Sequence, residues 1–390
     1  MKNIKILAFL ICFSTFQVSA QMLVWNVKTL EKAKNSNSPA AKSIVREADK
    51  QLSVNILTVM DKPMTPPGGD KHDYMSMGRY WWPDPDKKDG LPYIRKDGVV
   101  NSEIDKLDRM PLSKMARSVN TLSIAYYLTG DEKYASKAVE NLRIWFVDKK
   151  TKMNPNMNFG QTIPGRNEGK GRGEGVLDTY SFVEMLDAVE LLKNSKSLKN
   201  KDIEELKNWF SAYLEWMLTS AIGQEENDAK NNHGTAFDVQ AARYALFVGK
   251  NEVARKIVTA FPEKRLFRQI EPDGSQPLEL ARTTALGYSV FNLTHFIDMT
   301  LIAGSMQLNL LELKSEDGRS IQKAIEFLIP YIGKQVTDFP YKQIKEWDSV
   351  QQKLCWELYR VDKLLKKPLY EKYYVNQVNA ASKGDELLIY

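Results

Sequence analysis

Apolar residues recur every three to four positions through most of the chain after residue 110, the spacing that gives an α-helix one buried face. Tyr134, Ala138, Leu142 and Trp145 in GDEKYASKAVENLRIWF form such a row. They follow Gly130 and Asp131, a turn and then an acidic first helical turn. GKNEVARKIVTAF, from Gly249, repeats the form. Further helices are predicted over roughly 38–58, 112–128, 178–193, 202–220, 234–248, 278–304, 318–333, 342–365 and 370–381. About a dozen helices with short connectors predict an all-α fold of stacked helical hairpins. Two segments, 61–110 and 150–175, break the period. Aperiodic loops of that length are uncommon in a compact domain unless they have a function.

The N-terminus predicts the compartment. MKNIK is a basic region, ILAFLICFSTF a short apolar run, and VSA a small-residue end before Gln21, which together read as a secretory signal peptide over 1–20. No later run of about 20 apolar residues is present, so no membrane insertion is expected. A periplasmic or secreted protein starting at Gln21 is the expectation, with 21–390 as a single domain because no Pro/Ser/Gly-rich linker or charge block divides it. Cys12 falls in the leader and Cys355 is then alone, which excludes an intramolecular disulfide. The net charge of +6 includes Lys2 and Lys5, leaving about +4 after their removal. That excess suits an acidic partner. Nucleic acid is not expected, since Lys and Glu alternate along helical faces where a binder would gather its basic residues into one patch. A monomer is expected.

The first aperiodic loop holds YMSMGRYWWPDPDKKDGLPYIRKDG. Trp81 and Trp82 are adjacent and cannot both face one core, so Tyr80, Trp81 and Trp82 are candidates for stacking on a sugar ring. The alternative is a hydrophobic plug that pins the loop. The second loop, NFGQTIPGRNEGKGRGEG, brings Gln161 and Arg166 among glycines. No Gly-Lys-Ser/Thr follows, which excludes a phosphate-cradling loop. A flexible polar lip beside a groove and an ordinary solvated loop both fit it.

Two stretches carry chemistry: NNHGTAFDVQ, with Asn232 and His233, and PLELARTTALGYSVFNLTHF, with Glu279, Arg282 and Tyr288. These are the residue types needed for β-elimination from a uronic acid polymer. The proton at C5 lies next to a carboxylate, whose charge must be neutralised by an amide, a guanidinium or an imidazolium before that proton can leave. A base then removes it while an acid protonates the departing O4. A tyrosine can do both if a neighbouring cation, here Arg282, lowers its pKa. On one continuous helix, six residues leave Arg282 and Tyr288 about 120° and ~9 Å apart, so either a helix begins between them or Arg282 reaches across. His295 reads as structural and His72 as a surface residue by default. No His/Asp/Glu cluster has metal-ligand spacing, so neither a metal nor another cofactor is expected.

NNHGTAFDVQ followed by ELARTTALGY, with YWWPDP and RGEGVLDTY upstream, resembles the alginate lyase domain superfamily, in particular a Bacteroidetes-type branch related to poly(mannuronate) lyases. The resemblance spans about 60–345. It implies an (α/α) toroid or incomplete barrel of six to seven helical hairpins, acting on alginate or a related anionic polysaccharide. It implies catalytic roles for Asn232, His233, Arg282 and Tyr288. Two departures bear on sugar preference. GTAFDVQ replaces an aromatic-rich continuation, and the Arg-to-Tyr separation is one residue shorter than the family's.

Other readings stay open at this level. Glucuronan would suit the same mechanism, because mannuronate and glucuronate share C4 and C5 stereochemistry. Guluronate needs base and acid on opposite faces, which His233 as base and Tyr288 as acid would supply. An inverting glycoside hydrolase would need two carboxylic acids, for which Glu174, Asp178 and Glu279 are available. A non-catalytic glycan-binding protein would use the aromatic loop and leave the Asn-His/Arg/Tyr set without a reason.

Overall fold

The computed structural model describes residues 22–36, 38–380 and 386–390, so the leader and Gln21 lie outside the described residues. Helices dominate. In chain order they are α1 (Val27–Asn35), α2 (Pro39–Gln51), α3 (Arg109–Thr129), α4 (Glu132–Phe146), α5 (Phe182–Leu191), α6 (Asn200–Thr219), α7 (Ala221–Asp228) and α8 (Asn232–Phe247). There follow α9 (Asn251–Phe261), α10 (Phe267–Gln269), α11 (Pro277–Leu280), α12 (Ala285–Gly304), α13 (Ile321–Leu328), α14 (Trp347–Leu364), α15 (Glu371–Ala380) and α16 (Glu386–Ile389).

These helices pack in two layers. α3 packs on α5, α5 on α8, α8 on α12 and α12 on α14, forming an inner row. α2 and α4 back α3, α6 and α9 back α8, α13 backs α12, and α15 backs α14. Burial follows this order. Nearly every residue of α8 and most of those of α12 are buried, whereas α9 and α13 bury one apolar stripe. The result is an open α/α toroid, most of whose buried apolar residues form one cluster running from Leu23 to Ile389.

Buried polar contacts hold the N-terminal segment to the inner row. Asp187 of α5 accepts the backbone N–H groups of Leu23, Val24 and Trp25 at 2.9, 2.7 and 2.8 Å, and Arg243 Nη2 of α8 donates to it at 2.7 Å. Asn26 N–H donates to Ile389 O at 2.6 Å, which joins α16 to the start of α1.

The two aperiodic loops contain short strands that the all-α expectation lacked. β1 (Met75–Met77) pairs in parallel with β4 (Phe159–Thr162), and β2 (Trp81–Trp82) pairs antiparallel with β3 (Ile94–Arg95). The loops therefore lean on each other over one end of the inner helices. The helix predicted over 278–304 is broken. Thr284 bridges to Gln343, Ala285 N–H donates to Lys342 O and Ile344 N–H donates to Thr283 O, so this non-local pairing takes backbone groups that a continuous helix would use. The same contact delays the helix predicted from 342, which starts at Trp347.

Candidate active site

The NNHG stretch turns α7 into α8. Asn231 is the N-cap, its side chain accepting from His233 N–H at 3.3 Å, so the first amide has a local structural role. Asn232 is fully buried. Its backbone N–H and its Nδ2 both donate to Glu279 of α11, each at 2.7 Å. A side chain at Gly234 would place its Cβ 2.1 Å from Ala229 O and 2.3 Å from Arg265 Nη1. That space is taken because buried Arg265 donates to Ala229 O, Asn227 O and Asp238 beneath the turn. Asn232 and His233 thus sit in a clamped first helical turn, where the helix dipole favours negative charge.

His233 Nδ1 lies 2.7 Å from Glu226 Oε1 of α7. Burial pushes the imidazole pKa down, but Glu226, then Glu174 and Glu279, push it up further, so His233 ends above its ordinary value. Glu226 is itself raised, by burial first and against the pull of His233. The contact couples the titration of the two groups.

The break between α11 and α12 answers how Arg282 meets Tyr288. Arg282 precedes the helix that carries Tyr288, and its Nη2 donates to Tyr288 Oη at 2.8 Å with the guanidinium carbon 3.8 Å from the ring centroid. Tyr80 Oη lies 2.9 Å from Tyr288 Oη. Arg282 also donates to Asp97 at 2.6 and 3.3 Å, and Thr283 donates to the same carboxylate through N–H and Oγ1. Burial pushes Asp97 up, but the hydrogen bonds from Arg282 and Thr283 hold it well below the usual carboxylate range. Arg282 pulls the Tyr288 pKa down as the sequence suggests, but the net shift is the reverse of the one expected. Burial and Tyr80 outweigh Arg282 and leave the phenol raised, hence protonated at rest.

Asn232, His233, Arg282, Tyr288, Tyr80, Trp81 and Gln161 all line one cavity of about 890 Å³. Trp82 and Arg166 do not line it. Trp82 points the other way along its strand, donating Nε1–H to Val99 O at 2.9 Å, and Arg166 stacks 5.0 Å from the Trp81 ring centroid. Gln161 adopts a positive φ of 50° and is held by Ser76, Glu174 and Arg172, so its side chain braces the loop. His72 lies outside the cavity, its Nδ1 2.7 Å from Lys152 O. His295 is fully buried between Tyr180 and Phe291, and burial holds its pKa far below the ordinary value. A somewhat larger cavity, about 990 Å³, lies between α2 and α3 and contains none of the predicted site residues. Among the described residues, no group of three or more His, Cys, Asp or Glu is arranged to hold a metal ion, and no helix is long and apolar enough to cross a membrane.

A family model described as alginate lyase matches residues 58–337. The chain belongs to the alginate lyase family. Among solved structures it resembles an alginate lyase from Bacteroides ovatus, with 54% identity over 92% of this chain and 96% of that one and a TM-score of 0.90. Alginate lyase A1-III from Sphingomonas species A1 shares 15% identity over 84% of this chain and 88% of that one, with a TM-score of 0.53. A histidine-to-alanine variant of A1-III, complexed with a tetrasaccharide, aligns at 14% identity over the same shares with the same TM-score. At such identities the likeness shows the fold alone. Comparison with curated proteins returned no significant match.

Two residues of this alginate lyase family member, Glu226 and Asp97, escaped the sequence reading, and Glu279 has a different role from the acid of a hydrolase. Glu226 faces His233, Glu279 holds Asn232 and Asp97 holds Arg282. The acidic residues in SAIGQEEND and RKDG look like ordinary solvent-facing charges. Only spatial pairing with a cavity residue distinguishes them.

Proposed function

We propose that this family member cleaves a 4-linked polyuronate by β-elimination, with alginate rich in mannuronate as its substrate and Tyr288 as the proton-transfer residue. The observation that carries the reading is the convergence, in one cavity, of Tyr288 Oη with Arg282 Nη2 and Tyr80 Oη and of Asn232 and His233 at the start of α8. Asn232, His233 and Arg282 neutralise the substrate carboxylate. With its negative charge balanced, C5 can release its proton. Tyr288 rests as the phenol, so it first gives up its proton to solvent in the open cavity; the phenolate, stabilised by donation from Arg282, then takes the C5 proton. The C5–H electrons form the C4=C5 double bond, the bond from C4 to the glycosidic oxygen breaks, and the Tyr288 phenol passes its proton to the departing oxygen. That sequence returns Tyr288 to the phenolate that began it.

His233 supports a neutralising role over a basic one. Its Nδ1 faces Glu226 and its pKa is raised, which favours the imidazolium, whose Nε2–H can be offered to a carboxylate. A charged imidazole cannot abstract a proton. With Tyr288 as the single base and acid, both transfers occur on one sugar face, which suits mannuronate and glucuronate and disfavours guluronate. The carboxylates that a hydrolase would need are already engaged. Glu279 is bound twice by Asn232, Asp178 accepts from Tyr74 and Ser76, and Glu174 pairs with Arg172. Export through the predicted leader would place the enzyme where such polymers are met.

Ultraviolet absorbance from the conjugated product, followed on mannuronate-rich alginate, guluronate-rich alginate and glucuronan, tests the reading. Faster elimination from the mannuronate-rich polymer is expected. Cleavage of guluronate at an equal or higher rate contradicts the single-residue scheme.

A further inference from the structure

One wall of the cavity comes from outside the stretch that the family model covers. Gln343, Glu346, Val350 and Lys353 line it, the last three at the four- and three-residue spacing of one helical face. Lys353 Nζ lies 5.3 Å from the centroid of the Phe291 ring, and Phe291 also lines the cavity. His295 packs against that ring at 4.3 Å in an edge-on arrangement, which fixes its orientation.

The charge on Lys353 is free. Arg95 and Arg282 pair with Asp97, Arg109 with Asp178 and Arg172 with Glu174, whereas among the described residues no carboxylate lies within ion-pair distance of Lys353. Arg79 and Lys230 are also unpaired in this cavity, but neither is joined to an aromatic ring beside Tyr288 on the same helix. Phe291 follows Tyr288 by three residues on α12, about 4.5 Å along the axis, the scale of one sugar unit. A flat ring with a cation at its edge matches a uronate residue, which offers an apolar C–H face and a carboxylate.

We propose that Phe291 and Lys353 form a subsite for the uronate adjacent to the sugar deprotonated at Tyr288, so that consecutive uronates are selected over a uronate next to a neutral sugar. The inference rests on the elimination reading for which sugar stands at Tyr288, and it adds the residues that read that sugar's neighbour. Phe291 supports the sugar face, and Lys353 reads its charge.

The test uses the full chain with Tyr288→Phe as a slow background. Calorimetry compares a short oligouronate with a partly carboxyl-reduced oligomer in which only the cleaved sugar keeps its carboxylate. Adding Lys353→Ala should weaken oligouronate binding about fivefold, the value of one partly solvated ion pair, and leave binding of the reduced oligomer unchanged. Lys353→Arg should restore most of the loss. Equal Kd values with and without Lys353→Ala, or the same loss for both ligands, overturn the subsite. If Tyr288→Phe still turns over, the elimination assignment fails separately, and the subsite is then read from the KM ratio of Lys353→Ala to wild type on the two oligomers.

Discussion

Glu226 Oε1 stands 2.7 Å from His233 Nδ1, with the carboxylate almost wholly buried and the imidazole opening to the cavity. This pairing favours the cationic form of the histidine, which suits a donor to a carboxylate better than a base.

The first prediction follows from that charge. Because the folded pKa of His233 is raised, its imidazolium persists to higher pH than an ordinary histidine's and is lost as pH rises through the raised value. Neutralisation of the substrate carboxylate should fail on that alkaline limb. In Glu226→Gln the limb of kcat/KM should move to lower pH, as measured in a pH–rate profile. An unmoved limb would mean that His233 does not carry the charge.

A second prediction concerns the turn itself. Gly234→Ala places a methyl against Ala229 O and the Arg265 guanidinium, both held in a buried network, so neither can yield cheaply. A loss of about 1–3 kcal/mol is expected, read as a lower urea midpoint, together with a loss of turnover. Unchanged stability would show that the turn relaxes.

The adjacent tryptophans should separate. Trp81 lines the cavity beneath Arg166 and Arg172, whereas Trp82 ties its strand to Val99 and lies 5.4 Å from Lys96 Nζ. Trp81→Ala should raise KM for polymer about tenfold. Trp82→Ala should lower Tm by the loss of about 1 kcal/mol and change KM less. The reverse pattern in the two assays would reassign both side chains.

Much of this was legible because it is local. The helical periodicity located most of the helices, and NNH, Arg282 and Tyr288 declared a carboxylate-handling set by residue type alone. What escaped is non-local. The break at 281–284 depends on pairing with 342–344, and without it Arg282 could not lie over the Tyr288 ring. Glu226, Glu279 and Asp97 gain their roles only when folding places them behind cavity residues. The direction of the Tyr288 shift was misjudged for the same reason. Sequence showed the nearby cation but neither the burial nor the Tyr80 hydroxyl that outweighs it.

The central claim is that Tyr288 moves the protons. Tyr288→Phe removes one oxygen and leaves the ring beneath Arg282, so folding and oligouronate binding should persist. Formation of the unsaturated product from mannuronate-rich alginate, followed by ultraviolet absorbance, should fall by about 10²–10⁴-fold at saturating polymer. Elimination at a near-wild-type rate in Tyr288→Phe would contradict the account.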